Sequence, residues 1–365
     1  MVIYVVIYLF LTFLSLLSAN ASKKSQMMMG WIALSIVALF QGLRWRTGTD
    51  WQPYLDVFHY ANSSSPITNM EPGYLLLNKV IGLFTKDYTV FLFVTCFIRL
   101  WLIMRMARYF NVTNIAAIIL FSFAGSVFPV RMHLAVAVFL NAYQYLVERN
   151  FIKYVIVVLI AASMHAAALV ALPFYLLSFR SFSYRSLLIV YIGSCIVGFA
   201  ATPILELITN ILMQDFLFDS DFAAEKIRGN LEGDLENNRS LLSIILSLGN
   251  GLVFISIFGY IRHKYFNGDR KYDILFSLYV FGLAFNRLVI NSVPYLSRVV
   301  ELFAGGFCIM LLWWIAKQNA SRRVVVLLIL AIYAIFAYIN YLNKFEDVVL
   351  PYYSVFSSSI RVVVY

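Results

Sequence analysis

Stretches of about 20 apolar residues recur along the whole chain, and this repetition limits the fold more than any other feature. A run of that length crosses the hydrocarbon core as a helix, because lipid offers no partner to a backbone N–H or C=O. Spans are expected at roughly 2–19, 27–43, 88–107, 112–128, 132–147, 186–204, 241–261, 272–290, 298–316 and 323–342. No polar segment between them is long enough to bury a core of its own, so residues 1–365 read as a single integral membrane domain. The residues are 62% hydrophobic and 13% charged, with a mean hydropathy of +0.82, as that reading requires. The expected class is therefore an all-α polytopic membrane protein.

Residues 151–179 do not fit a single span. They are flanked by Arg149 and Lys153 before and by Arg180 and Arg185 after. If both ends stay on one side, the segment enters and returns, with Ser163-Met164-His165 at the tip of a broken, re-entrant hairpin. The fold is then about 10 transmembrane helices plus that hairpin. Ala19-Asn20-Ala21 resembles a signal-peptidase site, but no basic residue precedes the first apolar run while Lys23 and Lys24 follow it. The run is expected to stay as a span with its N-terminus outside.

Alternation places both termini outside. The inner side then holds Lys23, Lys24, Arg105, Arg108, Arg149, Lys153, Arg180 and Arg185. It also holds Arg262, Lys264, Arg270, Lys271, Lys317, Arg322 and Arg323. Only Glu148, Asp269 and Asp273 oppose these fifteen, so the positive-inside rule is met. The net charge of +10 reflects this orientation; it is dispersed among loops and forms no basic stripe for nucleic acid. Cys96, Cys195 and Cys308 lie in apolar runs and read as buried thiols. Outside, residues 205–240 carry most of the acids and an amphipathic stretch, and 343–365 form a semi-polar tail.

The polar residues at the outer side carry the candidate chemistry. Residues 44–87 make an outer loop that gathers Arg44, Arg46, Asp50, Tyr54, Glu71, Tyr74 and Asn78, with Glu71-Pro72-Gly73-Tyr74 read as a turn feeding a new helix. Arg131 and His133 begin one span, His165 sits at the hairpin tip, Arg287 ends a span, and Arg298 and Glu301 begin another. Converging arginines suit a phosphate or diphosphate, and tyrosines beside carboxylates suit sugar rings. A carboxylate or histidine could take an acceptor's proton, and an arginine could stabilise a departing diphosphate. Blander readings stand beside these: Arg298 and Glu301 as an intrahelical pair, Arg131 snorkelling to headgroups, His165 as a structural histidine. Asp219-Ser220-Asp221 is a weak D-x-D, and no metal or cofactor motif is present.

Arg46-x-Gly48-Thr49-Asp50-x-x-x-Tyr54, then Glu71-Pro72-Gly73-Tyr74 with Asn78, resembles the opening of the EpsG-like branch of Wzy-type O-antigen and polysaccharide polymerases. Arg131 with Ala135, Met164-His165 before Leu169 and Pro173, Tyr295-x-x-Arg298 and Pro351-Tyr352-Tyr353-Ser354-Val355-Phe356 follow in that family's order. Met132 and Met164 depart from the family's usual glutamine and aromatic. The resemblance implies a glycosyltransferase-C-like helical fold in a bacterial inner membrane. It implies an enzyme working at the periplasmic face that moves a growing glycan from polyprenyl diphosphate to the terminal sugar of another polyprenyl-diphosphate-linked repeat. Arg131, His165, Arg298 and Asp50 are then the expected catalytic residues. Arg44, Arg46, Tyr54, Glu71, Tyr74, Asn78, Arg287 and Glu301 are expected to bind substrate. No cofactor and no metal is expected; the partners are lipid-linked oligosaccharide, the bilayer and a chain-length regulator protein, with no nucleic acid. The rival readings are an O-antigen ligase, which shares the donor, and a transporter or flippase of lipid-linked sugar, against which the one-sided charge and absent repeat argue.

Overall fold

A computed structural model describes residues 1–48, 50–61, 63, 70–125, 128, 130–200, 241–290 and 299–357, with the backbone alone over 241–247. The described chain is helical, and its only β-type pairing is an isolated bridge between Arg44 and Ser354. It divides into two compact units, one of residues 1–169 with 311–365 and the other of residues 170–310.

The first unit opens with α1 (Val2–Ser18) and α2 (Lys23–Gly42), then α3 (Trp51–Ala61) and α4 (Pro72–Gly82). It continues with α5 (Tyr88–Tyr109), α6 (Ile115–Gly125), α7 (Arg131–Leu140), α8 (Tyr143–Val147) and α9 (Phe151–Met164). A 3₁₀ helix (Ala166–Ser178) follows, within which the chain passes into the second unit: α10 (Tyr184–Ala200), α11 (Leu241–Tyr265) and α12 (Arg270–Val289). It returns within α13 (Val300–Ala316) to α14 (Ala320–Lys344) and α15 (Glu346–Val349).

Among the described residues four helices, α2, α5, α12 and α14, are long and apolar enough to cross a membrane by length and composition, and six shorter helices are apolar. At 22 residues α5 spans roughly 33 Å. α14 buries a narrow stripe of Leu327, Ala331, Tyr338 and Leu342, while Val325, Ile329, Ile332, Tyr333 and Phe336 stay exposed. So much bare apolar surface on one helix suits lipid and not water.

Two expected spans and the expected hairpin come out differently. The 132–147 span is broken between α7 and α8, where Asn141 donates to the carbonyls of Ala137 (2.8 Å) and Leu102 (3.2 Å) and accepts from Arg105 Nη1 (2.7 Å). A side-chain amide that takes up carbonyls of its own and a neighbouring helix competes with the backbone ladder and often bends a helix. The described part of the 112–128 span is the 11-residue α6. The 151–179 segment breaks at His165, as its composition suggests, but its second half is a 3₁₀ helix containing Pro173 and not a second α-helix.

In the first unit α2 packs on α5 and α6, α1 on α6, and α7 on both α5 and α9. In the second, α10 packs chiefly on α12, and α11 on α12 as well. The amphipathic stretch within 205–240, Asp219-Ser220-Asp221 and Arg298 lie outside the described residues.

Candidate active site

Residues 44–87, expected as a loop with one new helix at its end, hold two short amphipathic helices. α3 buries Trp51, Leu55 and Phe58 at helical spacing and turns Gln52 and Asp56 outward, where their side chains bond each other at 2.9 Å. α4 buries Tyr74, Asn78 and Ile81 at the same spacing. These faces close over Tyr88, Phe91 and Leu92 of α5. Aromatics that bury 150–250 Å² each make this a firm platform and not a floppy connection.

Glu71 lies at the N-cap of α4, with Pro72 at the first helical position where a missing N–H costs nothing. Its carboxylate reaches two other elements. Oε2 accepts from Arg131 Nη1 at 2.8 Å, and Oε1 accepts from the backbone N–H of Ala166 at 3.1 Å. Arg131 is the first residue of α7, and Ala166 the first of the 3₁₀ helix. Three helix starts therefore meet at one carboxylate. Each carries partial positive charge on its unpaired N–H groups, and Arg131 adds a full charge at a helix position that favours the opposite sign. A cation there does nothing for its own helix, which makes it a candidate for binding an anion.

The approach of α4 to this point depends on Gly73. A Cβ on Gly73 would lie 2.1 Å from Ser163 Oγ and 2.7 Å from Ser163 Cβ, at the C-terminal end of α9 just before the break. His165, half-buried, caps α9 in extended conformation, and its Nδ1 accepts the N–H of Ala167 at 3.3 Å. A neutral imidazole held this way carries its proton on Nε2. Tyr54, in the second turn of α3, lies beside Arg131, and its ring meets Tyr74 edge-on at 5.8 Å. Burial raises the Tyr54 hydroxyl above the ordinary phenol range; Arg131 pulls it back, while the charges of Asp50 and Glu71 push it further up. Asp50 itself is exposed. The site thus combines an anion-favouring pole with carboxylates and the partly exposed Tyr54 ring; Tyr74, expected to bind substrate, is instead fully buried in the platform.

The other expected residues fall elsewhere. Arg44 is 3% exposed, with its guanidinium 4.5 Å from the Phe128 ring centre and its backbone bridged to Ser354. Arg46 is exposed and holds a positive φ of 47°. Asn78 is buried and spends its amide on the carbonyl of Tyr74 at 2.8 Å. In the second unit, Arg287 donates to Tyr191 Oη at 3.3 Å, and Glu301 is in the first turn of α13.

The first and last sequence motifs are joined. Trp45 N–H donates to Tyr353 C=O (3.0 Å), Val355 N–H to Leu43 C=O (3.0 Å), and Gly48 N–H to Val348 C=O (2.7 Å). Tyr352 Oη donates to Phe40 C=O at 2.8 Å, and its ring stacks on Phe40 at 4.6 Å. The segment that leads into α3 is thus strapped down by the C-terminal motif.

Sequence reasoning passed over Arg99, on α5. Its guanidinium is buried, donating to Gln41 Oε1 of α2 (3.1 Å) and Ser122 Oγ of α6 (3.3 Å), while Cys96 Sγ donates to the same Gln41 oxygen at 3.0 Å. A signal was present, since an arginine inside an apolar run demands a partner. Among the described residues no group of three His, Cys, Asp or Glu side chains is arranged to hold a metal ion.

A model of the EpsG family matches residues 27–354, nearly the whole chain. The chain belongs to the EpsG family. That family is one of Wzy-like polymerases, and the motif segments that resemble it at 46–54, 71–78, 131–135, 164–165 and 351–356 all lie in the first unit. No curated protein and no solved structure matches the chain. An EpsG chain with apolar helices is a multi-pass membrane protein of polysaccharide-polymerase type.

Proposed function

We propose that this EpsG protein polymerises lipid-linked oligosaccharide repeats at the outer face of a bacterial inner membrane. The growing glycan would pass from polyprenyl diphosphate to the terminal sugar of an incoming polyprenyl-diphosphate-linked unit. The observation that carries this reading is the meeting of the α4, α7 and 3₁₀ helix starts around Arg131 and Glu71. Such a pole suits the diphosphate of a lipid carrier, and the partly exposed Tyr54 ring beside it suits a sugar face, with the buried Tyr74 supporting that ring from behind.

In this reading the acceptor hydroxyl attacks the anomeric carbon of the donor. The new C–O bond forms as the bond to the diphosphate oxygen breaks, and polyprenyl diphosphate leaves with the electron pair. Arg131 stabilises the charge that develops on it, with Arg46 of the same unit as a further candidate. Asp50 accepts the proton of the acceptor hydroxyl. His165 acts as a hydrogen-bond donor through Nε2, because Nδ1 is already engaged. Glu71 is a positioning residue that fixes Arg131 and the chain break together. Arg44, enclosed against Phe128, belongs with the support of this wall. The fold would be glycosyltransferase-C-like, with both termini outside, and a chain-length regulator would act alongside.

The test is elongation by purified protein given only lipid-linked repeats in detergent. Wild type should build long chains; Arg131→Glu should build none while accumulating normally. A ligase would leave the repeats unextended, and a transporter would make no polymer where there is no second compartment. Wild-type chain length in Arg131→Glu would remove the proposed role of that residue.

A further inference from the structure

In the second unit a cavity of about 510 Å³ opens between the start of α10 and the last turns of α11. Its shape follows from close packing of Tyr184 on Gly259, where a Cβ would lie 2.4 Å from the Tyr184 ring. The Tyr184 hydroxyl sits 3.2 Å from Ser256 Oγ, and Ser183 caps α10 by accepting the N–H of Ser186 at 3.1 Å. The walls are thus built of hydroxyls and tyrosine faces.

This end of the unit is basic, and its basic side chains divide into two kinds. Arg262 and Arg270 hold the fold together: Arg262 Nε meets Asp273 at 2.6 Å, Arg262 Nη1 donates to Phe182 C=O at 2.7 Å, and Arg270 Nη2 donates to Ser178 C=O at 2.8 Å. Arg185 and His263 line the cavity instead. Both are exposed, and neither donates a described hydrogen bond to the protein. Among the described residues no carboxylate lines the cavity. The α11 face that carries Ser256, Tyr260 and His263 continues along the helix as Val253 and Ile257, which are 54% and 44% exposed. A polar, cationic mouth therefore leads onto a bare apolar track.

We propose that this groove seats an anionic phospholipid, with its phosphodiester on Arg185, His263 and the hydroxyls and its acyl chains along Val253 and Ile257. Basic pockets between membrane helices take such headgroups, and each basic side chain near the surface is worth about a fivefold change in binding. The apolar track favours a lipid over a free phosphate. This inference does not rest on the polymerase reading.

Native mass spectrometry of the protein released from nanodiscs tests it, using equal phosphatidylglycerol and phosphatidylcholine. Wild type should retain phosphatidylglycerol in preference. Arg185→Gln should lower that retention about fivefold, and adding His263→Gln should lower it further. Lys23→Gln with Lys24→Gln, which removes exposed positive charge from the other unit, should leave it unchanged. Size-exclusion profiles establish that each variant is folded. Equal retention of the two lipids by wild type would overturn the proposal. So would an equal loss in the Lys23/Lys24 variant, or displacement of the bound lipid by soluble glycerol 1-phosphate.

Discussion

The contact between Gly73 and Ser163 offers the sharpest test of the site's construction. In Gly73→Ala the new methyl would sit 2.1 Å from Ser163 Oγ, 2.7 Å from Ser163 Cβ and 2.9 Å from the Ser163 carbonyl oxygen. Ordinary contact begins near 3.4 Å, so α4 and α9 must part by about 1 Å. Overpacking of this kind costs about 1–3 kcal/mol in stability. The effect on chemistry should be larger in proportion. Glu71 is two residues away, and its bonds to Arg131 (2.8 Å) and the Ala166 N–H (3.1 Å) do not survive a shift of that size. A misplacement of about 1 Å in a reacting constellation can cost on the order of 10²-fold in rate. Ser163→Gly supplies the control. It removes Oγ and Cβ and leaves the carbonyl oxygen at 2.9 Å, so the double variant should recover part of both losses. The assays are the rate of glycan elongation by purified protein and the thermal unfolding midpoint in detergent. Wild-type elongation in Gly73→Ala, or a double variant no better than the single one, would refute the argument that this close approach positions Glu71.

Three further outcomes are expected. Glu71→Gln and Arg131→Gln should show coupling of about 1 kcal/mol in a double-mutant cycle on unfolding, modest because both side chains keep 16–17% of their exposure. Gln41→Leu strands the buried Arg99 guanidinium and should lower stability by about 2–3 kcal/mol, whereas Ser122→Ala, which removes a longer bond at 3.3 Å, should cost less; thermal unfolding compares the two. Tyr352→Phe removes the bond to Phe40 C=O but keeps the stacked ring, and should cost about 1 kcal/mol in the same measurement.

The sequence made the apolar helices legible because lipid imposes one strong pattern, and it marked Glu71, Arg131 and His165 because polar groups stand out against that pattern. It did not reveal that Glu71 ties the other two elements together, since the N–H of Ala166 has no signature in residue type. The turn at Glu71-Pro72-Gly73-Tyr74 announced α4, but α3 was hidden for a related reason: its buried face is aromatic and interleaved with polar and charged residues, so the 11-residue helix resembles a polar loop. Arg44 looked like a ligand because its enclosure depends on Phe128 and on Ser354, both remote in sequence. Arg99 needed Gln41 on a separate helix to make sense. The break at His165 was readable, but the 3₁₀ geometry after it was not, as Ala-Ala-Ala-Leu-Val-Ala suits an α-helix equally well.

The strap across Leu43–Gly48 has a consequence for how the protein is made. Thr47 and Tyr353, which hydrogen-bond to each other, are separated by 306 positions. A nascent chain emerging from the ribosome inserts α1 and α2 long before the residues that secure the following segment have been translated. The wall of the site must therefore wait, incompletely anchored, until biosynthesis is nearly over. Release of a prematurely stopped product lacking 348–355 would deliver a membrane-inserted but unfinished molecule, with its Trp45 and Gly48 amides bare and open to surveillance proteases.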